Sequence, residues 1–461
     1  QIDPMIKPLH IVILAAGEGT RMKSARPKML QTVGGRPMLA HLLDTATSLE
    51  PEQVHVVVGS GAEQVKEACA DYAVTWVNQD ERRGTGHAVM QAMPGVPDGS
   101  AVLVLLGDHP LIPAALLEKM IAETEPPLAM LTMELDDPTG YGRILRDPGG
   151  NIIGVIEHQD AAPEQHEIRE VNTGIIMADA ARLRAWLDKL DCDNAKQEYY
   201  LPDIFSMARA ESGEVQAVMA PDYHDLQGAN DRVQLAALEK RYQQRMAHQL
   251  MESGVQLVDP DRLDVRGAVS AGSDVHIDIN VILQGENRLG DGVTVGAGSV
   301  LTDCDLAAGT VVHPHSVLEG VVTTGACDIG PFARLRPGTV LAAGCRVGNF
   351  VETKNARLGE GSKASHLTYL GDSVVGKSVN IGAGTITCNY DGAYKHQTVI
   401  EDDVFIGSDT QLVAPVTVGR GATIGAGSTV TKNAPAGALT VSRSRQTSIE
   451  GWKRPKKGEG Q

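Results

Sequence analysis

The sequence predicts an α/β half followed by an all-β half that folds as a parallel β-helix. In residues 11–121, continuous aliphatic runs alternate with helical stretches, which is typical of a doubly wound, Rossmann-like sheet. In residues 265–435, one aliphatic residue recurs every six positions, the signature of a parallel β-helix. Residues 230–253 contain no proline and no internal glycine, and their apolar spacing predicts one long helix that joins the halves.

The six-residue period of the second half predicts one short strand and one tight turn per unit. The aliphatic side chain of each unit is expected to point into the coil, and a glycine often follows it because glycine adopts backbone angles that a Cβ hinders. Residues in phase include Val265, Ala271, Ile277, Leu289, Val295, Leu301, Ile329, Leu335, Leu341, Val347, Val375, Ile381, Ile400, Ile406, Leu412, Val418, Ile424 and Val430. The phase slips after Leu301, Val347 and Ile381. We interpret the slips as inserted loops, where chemistry is usually found on a rigid scaffold.

Composition limits the classes of function. The chain has 461 residues, of which 42% are hydrophobic and 21% charged, and a formal net charge of −17. An acidic balance argues against a general nucleic-acid binder and against binding to an anionic membrane. The sequence has no apolar run long enough to span a bilayer. Its six cysteines show no CxxC spacing, so they are expected to be reduced thiols in a cytoplasmic protein.

Three loops of the first half are expected at the carboxyl ends of strands, where doubly wound sheets bind ligands. The aliphatic run 11–14 leads into the small-residue turn 15–22, whose backbone amides can hold phosphate. Strands are predicted at 54–58, 74–77 and 101–106, and helices at 64–70 and 111–121. Loops 83–86 and 107–110 follow two of the strands. Asp108 suits either a hard cation beside phosphate or the cap of the helix 111–121.

The motif from Leu14 to Met22, Leu-Ala-Ala-Gly-Glu-Gly-Thr-Arg-Met, with Pro27-Lys28 after it, resembles the signature of sugar-1-phosphate nucleotidyltransferases. With the hexapeptide half included, nearly the whole chain from residue 5 resembles the bacterial bifunctional N-acetylglucosamine-1-phosphate uridyltransferases/glucosamine-1-phosphate acetyltransferases. The resemblance implies a nucleotidyltransferase domain at 5–229, a linking helix at 230–254, a left-handed β-helical acetyltransferase domain at 255–440 and a basic tail at 441–461.

The implied function has two steps. Glucosamine-1-phosphate is acetylated with acetyl-CoA, and UMP is then transferred from UTP to N-acetylglucosamine-1-phosphate. The products are UDP-N-acetylglucosamine, a precursor for cell-wall and lipopolysaccharide synthesis, and pyrophosphate. An alternative reading is a sugar-1-phosphate nucleotidyltransferase whose β-helix is only structural or regulatory. A third is a β-helical scaffold that merely binds sugar nucleotides.

The resemblance also assigns residues to the uridyl-transfer site. The residues that match nucleotide and sugar contacts are Leu14, Ala15, Ala16, Gly17, Lys28, Gln79, Gly84, Thr85, Gly142, Glu157, Asn172 and Asn230. Asp108 and Asn230 match the ligands of Mg²⁺, and Arg21 and Lys28 match the catalytic cations. Phosphoryl transfer requires mainly positioning and charge neutralisation from a protein, which suits these residue types.

A second group of residues matches the acetyl-transfer site. His366 matches the general base, and a neutral imidazole can accept the proton that the attacking amine loses. Glu352 is a candidate to orient it, and a backbone amide near Ala383 is a candidate to stabilise the oxyanion. The sugar-phosphate contacts are Arg336, Lys354, Tyr369 and Asn380. The acetyl-CoA contacts are Ala383, Asn389, Tyr390, Ser408, Ala426 and Arg443.

Relatives with hexapeptide repeats imply a homotrimer. The acetyl-site residues are expected on inserted loops, at 349–354, 361–370 and after Ile381, and on the tail. Projecting segments reach a neighbouring chain more easily than their own coil, so we expect each acetyl site to combine residues from more than one chain. His366 and Arg443 are the pair expected to come from different chains.

Overall fold

A computed structural model describes residues 7–124, 127–194, 197–212, 215–455 and 457. The predicted starting point of the first domain, residue 5, and residues 456 and 458–461 of the basic tail lie outside the described residues. The chain divides into two compact units, Gln1–Gln243 and Gln244–Gln461. No helix in the described part of the chain is both long and apolar enough to cross a membrane.

The first unit is built on a sheet whose central strand is Leu9–Ala15. Ile11 of this strand lies beside Val54 on one side and beside Leu103 on the other, and all three are buried. Aliphatic residues on both faces of the strand explain why it is covered on both sides. The strands in sheet order are Gln216–Met219, Leu128–Glu134, Glu170–Asp179, Ala101–Leu106, Leu9–Ala15, Gln53–Val58 and Thr75–Asn78.

One strand departs from the parallel pattern. Glu170–Asp179 runs antiparallel to both of its sheet neighbours, and its register shifts between Asn172 and Ile176. It also pairs at Val171 with Arg143–Arg146, which in turn forms an antiparallel pair with Ile152–Ile156. A two-stranded hairpin, Thr32–Val33 with Arg36–Pro37, stands apart from this sheet.

Helices cover the sheet of the first unit. They are Met38–Ser48, Ala62–Ala68, Thr85–Ala92, Ala114–Glu123, Pro163–His166, Ala180–Leu187 and Ile204–Ser212, with 3-10 turns at Thr20–Met22, Lys28–Leu30, Met93–Gly95, Leu201–Asp203 and Tyr223–Leu226. The helix predicted at 111–121 begins at Ala114, directly after Pro113. Asp108 is therefore not its cap, which leaves the carboxylate available to the site.

The long helix is Arg232–Glu252, two residues later at its start than the sequence predicts. The side chain of Asp231 accepts hydrogen bonds from the amides of Val233 and Gln234, which is the geometry of a helix cap. Asn230 stands just ahead of this cap. At the other end Gly254, with φ of +100°, terminates the helix.

The second unit is a parallel β-helix. Leu263 lies beside Val281 of the next coil, and Val300 lies beside Val317 in the same way. One coil therefore takes about three units of the six-residue repeat. The aliphatic residues of the repeat, such as Val265, Ile329 and Leu335, are fully buried and stack into one continuous core. Stacked aliphatic residues explain why the six-residue period specifies this fold.

The strands of the coil fall into two hydrogen-bonded sheets. The first contains Gln256–Leu257, His276–Ile277, Thr294–Val295, Val311–Val312, Asp328–Ile329, Arg346–Asn349, Lys363–His366, Asn380–Ile381, Phe405–Ile406, Thr423–Ile424 and Leu439–Thr440. The second contains Leu263–Ala271, Val281–Leu289, Val300–Thr302, Asp305–Leu306, Val317–Glu319, Val322–Thr323, Arg334–Leu335, Val340–Leu341, Glu352–Leu358, Tyr369–Val375, Ile386–Cys388, Thr398–Ile400, Gln411–Val413, Val416–Val418 and Thr429–Val430. We call them the first and second coil sheets.

Two of the three predicted loop insertions are wrong. After Leu301 and after Val347 the coil is one residue shorter than a full set of three repeat units, and the strands remain stacked. Residues 349–354 and 361–370 thus lie mostly in regular strands. Only the slip after Ile381 is a true insertion. Ser373 pairs with Thr398, and their separation in sequence is well beyond the length of one regular coil. The additional residues form a loop at 389–397.

The stacked core generates a stability prediction. Leu335→Ala removes a side chain that is fully buried between coils, whereas Val322→Ala trims one that is 38% exposed. We expect Leu335→Ala to lower the free energy of unfolding by about 2–5 kcal/mol and Val322→Ala by less than about 1 kcal/mol. Denaturant titration of the full chain, followed by its β signal, measures both. Equal effects of the two substitutions would contradict a core made of the six-residue repeat.

Two candidate active sites

A pocket of about 360 Å³ opens at the carboxyl ends of the first unit's central strands. Its lining includes many residues that the sequence predicts for the nucleotide: Leu14, Ala16, Gly17, Lys28, Gln79, Gly84, Thr85 and Asp108. Three predicted residues, Ala15, Arg21 and Asn230, are outside that lining. Ala15 is buried in the strand, and Arg21 is an exposed side chain of the adjacent 3-10 turn.

The glycine-rich turn packs directly on a lysine. Gly19 has φ of +65°, and a Cβ at this position would lie only 2.6 Å from Cβ of Lys28. Glycine is therefore required both for the left-handed backbone and for the close approach. The contact helps to hold Lys28, which is 8% exposed, against the floor of the pocket.

Two polar residues of the lining, Lys28 and Asp108, meet Asn230, which lies just outside it, and we call the three side chains the Lys28 cluster. Nζ of Lys28 donates to Oδ2 of Asp108 at 2.5 Å and to Oδ1 of Asn230 at 2.8 Å. These residues are far apart in sequence, so the fold alone brings them together. One carboxylate oxygen and one amide oxygen thus converge on a single cation, and oxygen donors of this kind suit Mg²⁺ as well as an ammonium.

Electrostatics keep the cluster charged. Burial acts to raise the pKa of Asp108, but the charges of His109 and Lys28, together with the Lys28 hydrogen bond, hold that pKa below its usual range. Burial also lowers the pKa of His109. The lowered pKa of Asp108 favours the ionised carboxylate beside Lys28.

The wall opposite the turn is fixed by backbone contacts around Gly84. Nε2 of Gln79 donates to the carbonyl of Gly84 at 3.3 Å and contacts Nδ1 of His87 at 3.0 Å. A Cβ at Gly84, where φ is +102°, would lie 2.6 Å from the carbonyl oxygen of Tyr199. The amide of Leu201 donates to Oγ1 of Thr85 at 3.2 Å. Residues 198–202 therefore close this side of the pocket.

A second pocket of about 400 Å³ adjoins the first and shares Thr85, Leu106 and Glu198 with it. Its lining contains the predicted sugar contacts Gly142, Glu157 and Asn172. We call it the sugar pocket. The amide of Asn172 donates to the carbonyl of Gly142 at 2.9 Å, which ties two of its walls together.

In the second unit, His366 belongs to a column of residues on successive coils. Asn349 pairs with His366 in register, and the column continues through Ala383, Ser408 and Ala426. The amides of Asp409 and Gly427 donate to the carbonyls of Ala383 and Ser408 at 2.7 and 2.8 Å. Nη1 of Arg443 donates to the carbonyl of Ala426 at 2.7 Å. We call these residues, from Asn349 to Arg443, the His366 column.

Within one chain, the hydrogen-bond partner of His366 is Asn349, and Glu352, which the sequence suggested as the orienting residue, does not contact it. Oδ1 of Asn349 lies 3.0 Å from Nδ1 of His366, and an amide oxygen can only accept. Nδ1 therefore carries the proton, and Nε2 is free to act as a base. Glu352 instead accepts a hydrogen bond from Nη1 of Arg336 at 2.9 Å.

A second group of predicted residues gathers on the second coil sheet. Lys354 lies beside Gly371 in register, and a Cβ at Gly371 would collide with Oη of Tyr369 and lie 2.7 Å from Nδ2 of Asn389. The Lys395 side chain, through hydrogen bonding and charge, lowers the pKa of Lys354. We call Arg336, Lys354, Tyr369, Asn389 and Lys395 the Lys354 cluster; three cations among them favour an anion such as a phosphate.

Within one chain these two groups lie on different coil sheets. His366 and Asn380 stand on strands of the first coil sheet, whereas Lys354 and Tyr369 stand on strands of the second. Tyr390 belongs to the inserted loop and is 62% exposed. His366 and Arg443 belong to the same column within one chain, and their origin in different chains at one acetyl site stays a prediction.

Comparison with known proteins agrees with both halves. The MobA-like NTP transferase domain family matches residues 11–146, and the bacterial transferase hexapeptide family, with six repeats, matches residues 397–432. The bifunctional protein GlmU of Alkalilimnicola ehrlichii is 57% identical over 460 residues, which cover 99% of each chain. Those of Stenotrophomonas maltophilia strain K279a and Azoarcus sp. strain BH72 are 55% and 54% identical and cover 98% and 97% of this chain. The chain belongs to the GlmU family.

Membership of the GlmU family confirms the function expected from the sequence. The chain is a bifunctional transferase with uridyltransferase and acetyltransferase activities in UDP-N-acetylglucosamine synthesis. The predicted fold class is confirmed as well, with a nucleotidyltransferase sheet followed by hexapeptide repeats. A β-helix that is only structural or regulatory does not fit a bifunctional family.

Sequence reasoning missed several residues of these GlmU sites. Glu198 lines both pockets, and Tyr200, Leu201 and Pro202 line the sugar pocket, but this part of the sequence carries no periodic signal. Lys395 was missed because the loop 389–397 interrupts the repeat and removes its register. Asn349 could have been found, because it lies one coil before His366 along the repeat.

The Asn349–His366 contact generates a prediction for acetyl transfer. Asn349→Leu keeps the size of the side chain but removes the acceptor that fixes the imidazole. We expect the rate of acetyl transfer to fall roughly tenfold, a part of the 10²–10⁴ that a general base contributes. Asn349→Asp, which keeps an acceptor at Oδ1, should retain most of the rate, and uridyl transfer should be unchanged in both variants. Equal loss in the Leu and Asp variants would contradict an orienting role.

Proposed function

We propose that the pocket beside the glycine-rich turn binds UTP and that the sugar pocket binds N-acetylglucosamine-1-phosphate. The two pockets share three lining residues, so the phosphate of the sugar can approach the α-phosphorus of UTP. The observation that carries this proposal is the convergence of Asp108 and Asn230 on Lys28; of these three residues, Lys28 and Asp108 line the nucleotide pocket. Fixed charge in that pocket is what a phosphoryl transfer needs.

Each side chain has a stated task in this proposal. A phosphate oxygen of the sugar phosphate forms the new bond to the α-phosphorus, and the bond to pyrophosphate breaks. Lys28 neutralises charge on the phosphates from within the pocket, and Arg21 does so from its exposed position at the turn. Leu14 to Gly17 contact the nucleotide, Gln79, Gly84 and Thr85 recognise the uracil, and Gly142, Glu157 and Asn172 contact the sugar.

Asp108 and Asn230 are the residues that would hold Mg²⁺. Their oxygens already share one cation, the ammonium of Lys28, which supports the fit. When bound, the ion supplies positive charge against the phosphate oxygens. Two oxygen ligands from the protein are a common complement for Mg²⁺, because the phosphates supply others.

For acetyl transfer, we place acetyl-CoA along the His366 column. The amine of glucosamine-1-phosphate attacks the thioester carbonyl, Nε2 of His366 takes the proton that the nitrogen loses, and the thiolate of coenzyme A leaves. Ala383, Ser408, Ala426 and Arg443 contact the coenzyme, and the amide near Ala383 stabilises the oxyanion. Arg336, Lys354 and Tyr369 bind the sugar phosphate together with Asn380, and Asn389 and Tyr390 complete the coenzyme site.

The assembly that we propose is a homotrimer with shared acetyl sites. Within one chain the His366 column and the Lys354 cluster lie on different coil sheets, which supports a site that joins the column of one chain to the cluster of another. Closed cyclic symmetry is the usual form of a soluble homo-oligomer. The substrates are small molecules, and we place the protein in the cytoplasm. The functional boundaries in this proposal are 5–229 and 255–440, joined by 230–254.

Loss of the cluster carboxylate should separate the two activities. We expect Asp108→Ala to reduce uridyl transfer roughly a hundredfold or more, because it removes a fixed charge from the floor of the pocket. Acetyl transfer by the same protein should remain close to normal. Asp98→Ala, a surface carboxylate of the same unit that pairs with Arg184, is the matched control and should change neither activity. Parallel loss of both activities in a folded Asp108→Ala protein would overturn the two-site proposal.

Shared sites can be tested by mixing inactive chains. His366→Ala and Lys354→Ala should each nearly abolish acetyl transfer, the former by roughly a hundredfold or more. Co-expression should restore partial activity, because some sites in mixed trimers join an intact column to an intact cluster.

The control for mixing is the pair His366→Ala and Asn349→Leu. These residues contact each other within one chain. Mixing the two variants should therefore give an acetyl-transfer rate no higher than the average of the two parent proteins. Verified mixed trimers of the first pair without recovery at any ratio would show that each chain builds its own site.

A further inference from the structure

A buried arginine stands where three walls of the sugar pocket meet. Arg143 is 1% exposed, and its backbone pairs with Val171 on one side and Ile156 on the other. In sequence these neighbours directly precede Asn172 and Glu157, and Arg143 directly follows Gly142. Arg143 is not part of the pocket lining, so it acts only through the residues that are.

The guanidinium makes two directed contacts with that lining. Nη1 donates to the carbonyl of Tyr141, and Nη2 lies 3.3 Å from Nδ1 of His158. Nε has no hydrogen-bond partner among the residues that the structure describes. A cation is costly to bury, above all where one of its donors is unsatisfied. At this junction the guanidinium makes directed contacts that an apolar side chain of the same size would not make.

The contact with His158 fixes which ring nitrogen carries the proton. Arginine has only donors, so Nδ1 of His158 must accept. A neutral imidazole that accepts at Nδ1 is protonated at Nε2. His158 lines the sugar pocket. A donor at Nε2 is therefore available to an oxygen of whatever the pocket binds.

We propose that Arg143 is a positioning residue that holds the Tyr141 wall and sets His158 as an Nε2–H donor to the bound sugar phosphate. The inference rests on the proposed assignment of this pocket to N-acetylglucosamine-1-phosphate. His158 selects for an acceptor on the sugar, and Arg143 sets the tautomer that makes this selection possible. Without Arg143, His158 is free to present an acceptor to the pocket instead.

Kinetics of the full chain test the proposal. Arg143→Met keeps length and apolar volume but removes both directed contacts. We expect it to raise KM for N-acetylglucosamine-1-phosphate roughly tenfold or more, with KM for UTP nearly unchanged. His158→Asn, which places an oxygen near Nδ1 but has no donor near Nε2, should raise the same KM. The KM of the double variant should be little higher than that of either single variant, because both substitutions remove the same interaction.

Two controls separate this role from a structural one. The unchanged KM for UTP reports that the first unit remains folded, and acetyl transfer by the same chains should also be unchanged. Arg146→Met, on the same strand but paired with Glu170 at the surface, should leave both KM values unchanged. Arg143→Lys keeps the charge but not the fork of donors, so it should restore the KM only in part.

The tautomer is measurable without any activity. Nitrogen chemical shifts of the His158 ring in the wild-type chain should show the Nε2–H form, and Arg143→Met should show a mixture. Wild-type His158 in the Nδ1–H form, or an unchanged sugar-phosphate KM in Arg143→Met, would overturn the proposal. If the wild-type chain does not transfer UMP to this sugar phosphate, the pocket assignment fails, and the nitrogen shifts still decide the role of Arg143.

Discussion

The regular stacking of one coil upon the next is the constraint on which the second unit depends. Each coil must place an aliphatic side chain inside, so its length is held near three units of the repeat. That constraint also places residues one coil apart above one another, at the strand spacing of about 4.8 Å. The alignment of Asn349 with His366 in the His366 column therefore results from the same backbone register that forms the core.

The first unit places its chemistry differently. Lys28, Asp108 and Asn230 come from three distant segments and meet only because strand ends and a helix start converge at one edge of the sheet. Loops set the geometry of these three side chains, so we expect it to tolerate substitutions elsewhere in the unit. It should not tolerate the loss of a close backbone approach such as that of Gly19 to Lys28. The two units of the chain thus group polar side chains in different ways, by coil register in the second and by convergence of distant segments in the first.

Most of the fold was predictable from the sequence, because both halves carry strong periodic signals. The strand Ala101–Leu106 and the inward residues of the coil are where the aliphatic pattern predicts them. Coil length was not predictable in the same way. A one-residue shortening and a loop insertion both break the phase after Val347 or Ile381, and only hydrogen-bond register distinguishes them. The antiparallel strand Glu170–Asp179 also carries no signal of its direction.

The sequence predicted site residues that belong to a recognisable motif. It did not predict the residues outside any motif that hold those side chains in place. Motif resemblance suggested His366, but no motif indicated Asn349, its hydrogen-bond partner within the chain, which is one coil away. Arg143 is a similar case: its neighbour Gly142 matches a motif, yet the arginine contacts the lining from behind and is not part of it. A sequence motif identifies side chains that touch substrate. The residues that fix their protons and rotamers are chosen by packing, and packing becomes visible only when distant segments are brought together.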